Sequence, residues 1–186
     1  EELNDKWICF KKNSIHLVSI DAGGTPDVTQ VPVGIGCQAP RTVVRAGNVL
    51  LFLHNQGLYT VDGAGTVNLV PLSDPIRDLI RSLDADQIGN SVAAYWPETQ
   101  TYMLAVPGLQ ALTSGGASPA AVSGLTGATT AINDGLLVLH LPTGYWSIWP
   151  GIYAASMAVV PKSDFSTEVW YGAYFGRLHR FTDDKV

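Results

Sequence analysis

Short runs of alternating apolar and polar residues follow one another along most of this chain, with turn residues between them. Alternation with a period of two is typical of β-strands that bury one face and expose the other. The first two runs, residues 6–11 and 14–20, are separated by Lys12 and Asn13 and predict a hairpin. Because nearly every other readable segment is of the same kind, the pattern predicts an all-β protein.

Turn residues divide the later strands into sets. The first set comprises residues 42–45, 49–54, 57–62 and 66–70, and the second comprises 91–96, 101–106, 136–141 and 145–149. A last set comprises residues 154–160, 168–173 and 177–182. Residues 6–32 supply about three further strands, so we expect the first unit to lack its inner strand and the last unit its outer strand.

Antiparallel sets of four strands that recur at about 40–50 residues are typical of β-propeller blades. We therefore expect residues 1–186 to form a single β-propeller segment of about three to four four-stranded antiparallel blades. The remainder of a larger propeller is expected to lie outside this span or in another chain.

Two segments depart from the strand pattern. Residues 74–87 begin with Asp74 and Pro75, and their apolar side chains recur at helical spacing, which predicts one short inter-blade helix. Residues 109–133 carry no charge and consist mostly of Ala, Gly, Ser and Thr, which predicts a low-complexity loop inserted in a hairpin. This loop is either a surface insertion or an arm that orders against a neighbouring subunit.

The composition describes a thinly charged protein. Hydrophobic residues make up 46% of the chain and charged residues 15%, with a formal net charge of −5. Such a surface suits a subunit with permanent neighbours. The largest cluster of basic residues is the pair Lys11 and Lys12, so electrostatic binding of nucleic acid is not expected. No apolar run reaches the roughly 18 residues of a membrane span, so no membrane insertion is predicted.

The stretch VPVGIGCQAP has the glycine spacing of a dinucleotide-binding fingerprint at Gly34, Gly36 and Ala39. In such sites the glycines open a helix that receives the pyrophosphate. Here Pro40 follows directly and residues 42–44 read as strand, so the helix is missing. We expect these glycines instead to let the chain cross between blades under tight packing.

Residues that could carry chemistry are scattered, and each has a simpler explanation. The alternation around His16, His54 and His140 places each on the wetter face of its strand, and His179 lies on a fourth strand. A lone pair of aspartates, Asp84 and Asp86, lacks the later carboxylate of a calcium loop. Carboxylates that a glycosidase would need are Asp62, Asp78, Asp84, Asp86, Glu98 and Asp134, and most of them lie in predicted turns or in the helix. We therefore predict no catalytic residue, no cofactor and no metal site.

Cysteine and aromatic residues are assigned to packing. Cys9 and Cys37 lie in apolar surroundings without metal-ligand spacing, which predicts buried free thiols more than a disulfide. The large rings could line a sugar-binding face, but inter-blade packing is the interpretation that we prefer. The rings in question are Trp96, Trp146, Trp149, Trp170, Tyr95, Tyr145 and Tyr171.

One succession of segments resembles a known family. In chain order it comprises DKWICFKKNSI (residues 5–15), GCQAPRTVV (36–44), LFL (51–53), GLY (57–59), DG (62–63), the helix predicted at residues 75–83, YMLAVP (102–107), GYWSIW (144–149), YG (171–172) and GRLHRF (176–181). Together these resemble the β-propeller region of bacteriophage virion proteins, especially the tail hub or nozzle proteins of short-tailed phages. Family propellers are usually longer, with more blades.

The resemblance implies a structural virion component and not an enzyme. It would act by assembly at the tail or neck, with other virion proteins and further copies of itself in a symmetric ring as partners, and DNA would make at most passive contact in a channel. Such a protein would be assembled in the host cytoplasm. The alternative is an extracellular carbohydrate-binding or carbohydrate-cleaving β-propeller.

Overall fold

β-Strands dominate the computed structural model, which describes residues 2–3, 6–114 and 132–181. The strands form four antiparallel sheets, each built from strands that are consecutive in the chain. Sheet A contains β1 (Glu2–Leu3), β2 (Lys6–Phe10), β3 (Ile15–Ile20) and β4 (Pro26–Gln30). Sheet B contains β5 (Val44–Ala46), β6 (Val49–His54), β7 (Gly57–Asp62) and β8 (Val67–Asn68).

The second half of the chain repeats this arrangement. Sheet C contains β9 (Val92–Trp96), β10 (Thr101–Pro107), β11 (Asn133–His140) and β12 (Tyr145–Pro150). Sheet D contains β13 (Ala154–Pro161), β14 (Thr167–Ala173) and β15 (Leu178–Phe181). The predicted all-β class and the antiparallel sets of three or four strands are confirmed.

The strands of the first two sheets differ from the prediction at their starts. The first sheet is complete, because Glu2–Leu3 pairs with β2 as a fourth strand that is too short to show alternation. Thr42 is not in a strand, since Pro40–Thr42 form a 3-10 turn with proline in its first position. Sheet B therefore begins at Val44.

The helix predicted at residues 74–87 is much shorter. A 3-10 turn at Asp74–Ile76 leads into α1 (Arg77–Ser82), where the helix ends. The chain then turns at Asp84, whose carboxylate accepts the Asp86 N–H at 2.9 Å, because aspartate competes with helical hydrogen bonds in this way. Ile80 is nevertheless buried, as the apolar spacing predicted.

The uncharged segment begins with structure that the composition did not predict. Its first residues form α2 (Leu109–Ser114). The Asp134 carboxylate accepts the Leu109 N–H at 2.7 Å and the Gln110 N–H at 3.3 Å, and thereby satisfies donors at the helix start. The prediction of a loop across residues 115–131 lies outside the described residues.

The chain divides into two compact units, Glu1–Arg81 with sheets A and B and Ser82–Val186 with sheets C and D. In the first unit, Ile8 and Ile15 of sheet A pack with Leu50 and Phe52 of sheet B. In the second, Trp96 and other residues of sheet C pack with one face of sheet D, and β13 lies beside β9. Each core therefore lies between two sheets.

Candidate functional site

Sheet A has a second apolar face, which is turned away from its core. Because side chains alternate along a strand, Ile8 and Ile15 enter the core while their neighbours lie on the opposite side. That side carries Trp7, Cys9, Val18, Ile20 and Val28, which we call the open face of sheet A. Trp7 is 57% exposed, Val28 60% and Ile20 66%.

The open face forms a continuous surface and not a set of isolated residues. Val18 pairs with Trp7 on one side and with Val28 on the other, so an apolar row crosses three strands. Exposed apolar surfaces of this kind are uncommon on soluble proteins and mark places where another protein packs. The sequence already carried this signal, since apolar residues stand at both odd and even positions of KWICF.

A second feature lies at one end of sheet D. A cleft of about 420 Å³ is bounded by the β12–β13 connection, β14, the β14–β15 turn and β15. We call it the aromatic cleft, and its lining residues are Gly151, Tyr153, Tyr171, Ala173, Phe175, Arg177 and His179.

The rings of the aromatic cleft hold one another in place. Tyr171 stacks on His179 with ring centroids 4.9 Å apart and planes 14° apart. Tyr153 meets Phe175 edge-on at 6.0 Å, and the Tyr153 hydroxyl donates to Oε1 of Gln110 at 3.1 Å. Burial raises the pKa of the Tyr171 hydroxyl, which keeps this group a hydrogen-bond donor. Sequence reasoning did not find this cleft, because its residues come together only through a turn and a strand pairing.

The glycine fingerprint is a packing feature in this structure. A Cβ on Gly36 would lie 2.1 Å from the Lys11 carbonyl oxygen, and the Cys37 N–H donates to that same oxygen at 2.9 Å. The segment between sheets A and B thus presses its backbone against the β2–β3 turn at Gly36, as predicted for a tight crossing, whereas a Cβ on Gly34 would meet nothing within 4 Å. The turn at Pro40–Thr42 ends before any helix could form.

The histidines occupy different environments, and the expectation for His54 was wrong. His54 is 4% exposed. The side chains on both faces of β6 are buried, so neither face of this strand is exposed to solvent. Its Nδ1 accepts the Gln56 N–H at 3.3 Å, and burial lowers the pKa of the imidazole, favouring the neutral form. His140 is exposed, whereas His16 and His179 are half-buried.

The carboxylates serve the fold locally. Asp62 accepts the Ala64 and Thr66 N–H groups in a turn, and Glu98 accepts the backbone N–H and the hydroxyl of Thr167. Asp134 is fully buried at the start of α2, and Asp78 lies exposed on α1. Within residues 2–3, 6–114 and 132–181, no three His, Cys, Asp or Glu side chains lie close enough together to hold a metal ion.

The aromatic packing prediction holds for only part of the set. Trp96 is buried in the core of the second unit, but Tyr145 is 76% exposed and Trp149 is 40% exposed. Both exposed rings lie on β12, which is the edge strand of sheet C. An edge strand has a neighbour on one side only, so alternation alone overestimates the burial of its rings.

The two cysteines are free, but only Cys37 is buried, so the prediction for Cys9 was wrong. Cys9 lies on the open face of sheet A, one residue from the core-facing Ile8. Burial raises the pKa of the Cys37 thiol, and its Sγ donates to the Ala39 carbonyl oxygen at 3.1 Å.

We expect one fast-reacting thiol in the folded protein at concentrations low enough to keep it monomeric. Cys9 should react with a thiol reagent at the rate of an exposed cysteine, whereas Cys37 should react only after unfolding, because it is buried and held as the thiol. Counting the labels by mass spectrometry before and after denaturation tests this. A Cys9→Ser variant that still labels rapidly when folded would contradict it.

No protein-family model and no curated protein matches this sequence. No helix in the described parts of the chain is long and apolar enough to cross a membrane.

Proposed function

We propose that this protein is a structural component of a virion and acts by assembly, as a β-propeller module in a tail hub, nozzle or head–tail connection. Its partners would be neighbouring virion proteins and further copies of this chain in a symmetric ring. The open face of sheet A is the observation that carries this proposal.

The chemistry of the open face supports a permanent contact. Its central row of Trp7, Val18 and Val28 is apolar, and the exposed Glu2 continues this row at the edge of the sheet. Another sheet that packs on the row therefore buries an apolar centre and can leave the charged edge in water. Full burial of each side chain of this size contributes about 1.5–3 kcal/mol. A propeller blade uses its faces in this way, because each blade packs against the next.

The succession of antiparallel sheets and the low charge agree with this role. Sheets A, B and C have four strands each in the chain order that propeller blades use, and charged residues make up only 15% of the chain. The family resemblance adds the virion as the place of assembly. The net charge of −5 would help to keep DNA from adhering to a channel wall.

The alternative is an extracellular carbohydrate-binding or carbohydrate-cleaving β-propeller. The aromatic cleft favours its binding form, since aromatic rings and a few polar groups are typical of such sites. Cleavage would need two converging carboxylates, and none of the cleft's described lining residues is acidic.

Substitution of Trp7 tests the assembly proposal. Trp7→Asp places a charge at one end of the apolar row, so we expect the self-association constant to fall roughly 30- to 1,000-fold. Native mass spectrometry and negative-stain electron microscopy of the purified protein would show rings that the variant loses. Labelling of Cys9 should slow as the wild-type protein assembles.

The matched control is Phe165→Asp, which changes a side chain that is 96% exposed on the β13–β14 turn. This variant should assemble like the wild type. A wild-type protein that stays monomeric at high concentration, with Cys9 equally reactive throughout, would contradict self-assembly through this face. Unaltered rings in Trp7→Asp would do the same.

A further inference from the structure

We propose that the aromatic cleft binds an acidic saccharide, with the Arg177 guanidinium receiving a uronate carboxylate. The inference rests on the cleft alone and applies to a virion component and to an extracellular propeller alike. Three observations carry it: the unpaired Arg177, the absence of acid from the described lining, and the arrangement of the rings.

Arg177 is a cation without a counter-ion among the residues that the structure describes. Its side chain makes no hydrogen bond or ion pair with the described residues, whereas Arg180 on the neighbouring strand pairs with Glu168 at 3.0 Å. Arg177 is exposed, and only its backbone carbonyl is engaged, as the acceptor for the Ala173 N–H in the β14–β15 turn. Its guanidinium donors therefore remain available for a planar, doubly hydrogen-bonded contact with a carboxylate.

The charge of the cleft lining is opposite in sign to the net charge of the chain. The protein carries a net charge of −5, yet none of the cleft's described lining residues is acidic and one is arginine. A local positive site on an acidic protein selects a small anionic group over a long polyanion, because the remaining surface repels the latter. This argument favours a saccharide with isolated carboxylates over a nucleic acid.

The rings are arranged for a sugar more than for a nucleobase. A base needs an open ring face for stacking, but Tyr171 is stacked by His179 and also contacts Phe181 at 5.0 Å. Phe175 is 61% exposed, and the Tyr153 hydroxyl, whose hydrogen is donated to Gln110, can still accept a hydrogen bond. An apolar surface and a hydrogen-bond acceptor thus lie side by side. A pyranose ring has the same pairing of C–H faces and hydroxyl edges.

The size of the cleft limits the ligand to a short unit. Ligand pockets usually measure roughly 300–1,000 Å³. At about 420 Å³ this cleft lies near the lower end, which suits one or two sugar residues of a longer chain. Because one side of the cleft is a hairpin turn at the surface, the ends of a polysaccharide could continue into solvent.

Titration of the purified protein with galacturonate and with its methyl ester tests the inference. The two ligands have the same ring, and the ester lacks the carboxylate charge. We expect the acid to bind at least about tenfold more tightly than the ester at low salt, with the difference shrinking as salt is added. Isothermal calorimetry gives the affinities, and NMR shift changes should centre on Tyr153, Phe175 and Arg177.

Two arginine variants locate the contact. Arg177→Gln should lose the preference for the acid, about tenfold in affinity, while binding of the ester changes little. Arg180→Gln, the matched control on the same hairpin, should bind both ligands like the wild type. Phe175→Ala should weaken both ligands equally, because it removes apolar contact and no charge.

Several results would overturn the inference. Equal affinity for acid and ester would remove the carboxylate contact, and undiminished acid binding by Arg177→Gln would place that contact elsewhere. Absence of binding by either saccharide would eliminate the site. None of these results bears on ring formation through sheet A, so failure here and failure of the assembly proposal are distinguishable.

Discussion

Gly36→Ala is expected to lower the free energy of unfolding by about 3 kcal/mol, through overpacking and a lost hydrogen bond. The new methyl group would lie 2.1 Å from the Lys11 carbonyl oxygen and 2.6 Å from the Ser14 nitrogen. These are backbone atoms of a tight turn and cannot rotate aside. Moving the turn would also break the hydrogen bond from the Cys37 N–H to the Lys11 oxygen. Urea denaturation followed by circular dichroism measures the loss.

Gly34→Ala is the matched control, two residues away in the same fingerprint. A Cβ at Gly34 meets nothing within 4 Å, so we expect a change of less than about 0.5 kcal/mol. A nucleotide site would instead need both glycines. Equal destabilisation by the two variants, or a rise in melting temperature on addition of a dinucleotide, would contradict the packing explanation.

Asn133→Asp is the second substitution with a large expected effect, a loss of at least about 3 kcal/mol at neutral pH. Asn133 is fully buried, and its Nδ2 donates to the carbonyl oxygens of Asn90 at 3.0 Å and Ala154 at 2.8 Å. A carboxylate there would replace two donor contacts with two repulsions in a buried site. Thermal and urea denaturation at neutral pH would measure the loss.

The pH dependence separates charge from packing in this variant. Burial against two acceptors would raise the folded-state pKa of the new carboxyl above its unfolded value. The variant's deficit should therefore shrink as the pH falls from this raised pKa toward about 4, and it should level off below that, where the folded and unfolded states both bind the proton. Asn68→Asp is the control, since Asn68 is exposed and its Oδ1 accepts the Val70 N–H as a carboxylate can. A deficit that is independent of pH would contradict the electrostatic account.

The strands that the sequence predicted best are those with turn residues at both ends. β6 and β7 have the predicted bounds, because Asn55 and Gln56 separate two strongly apolar runs. β1 was missed, because two residues show no periodicity. The helix was predicted too long, because helical spacing continued through Leu83, whereas Asp84 favoured a turn through its own side chain.

Burial was predictable only where one face of a sheet is covered. In β6 the residues from Leu50 to His54 are all buried, so the alternation that assigned His54 to a wet face did not apply. Cys9 shows the opposite case, since it stands among apolar residues but lies on the open face of sheet A. Which side of a strand is covered depends on what packs against it, and a strand's own pattern cannot report that.

The sequence by itself determined the all-β class, the order of the antiparallel sheets and the absence of a fingerprint helix, because alternation, turn residues and proline act locally. Only the tertiary structure decided that Trp7 and Val28 share an open face and that Arg177 lies beside Tyr153 and Phe175 without an ion pair to any described residue. Those relations depend on strand register and on contacts between residues distant in the chain, and no local preference encodes them.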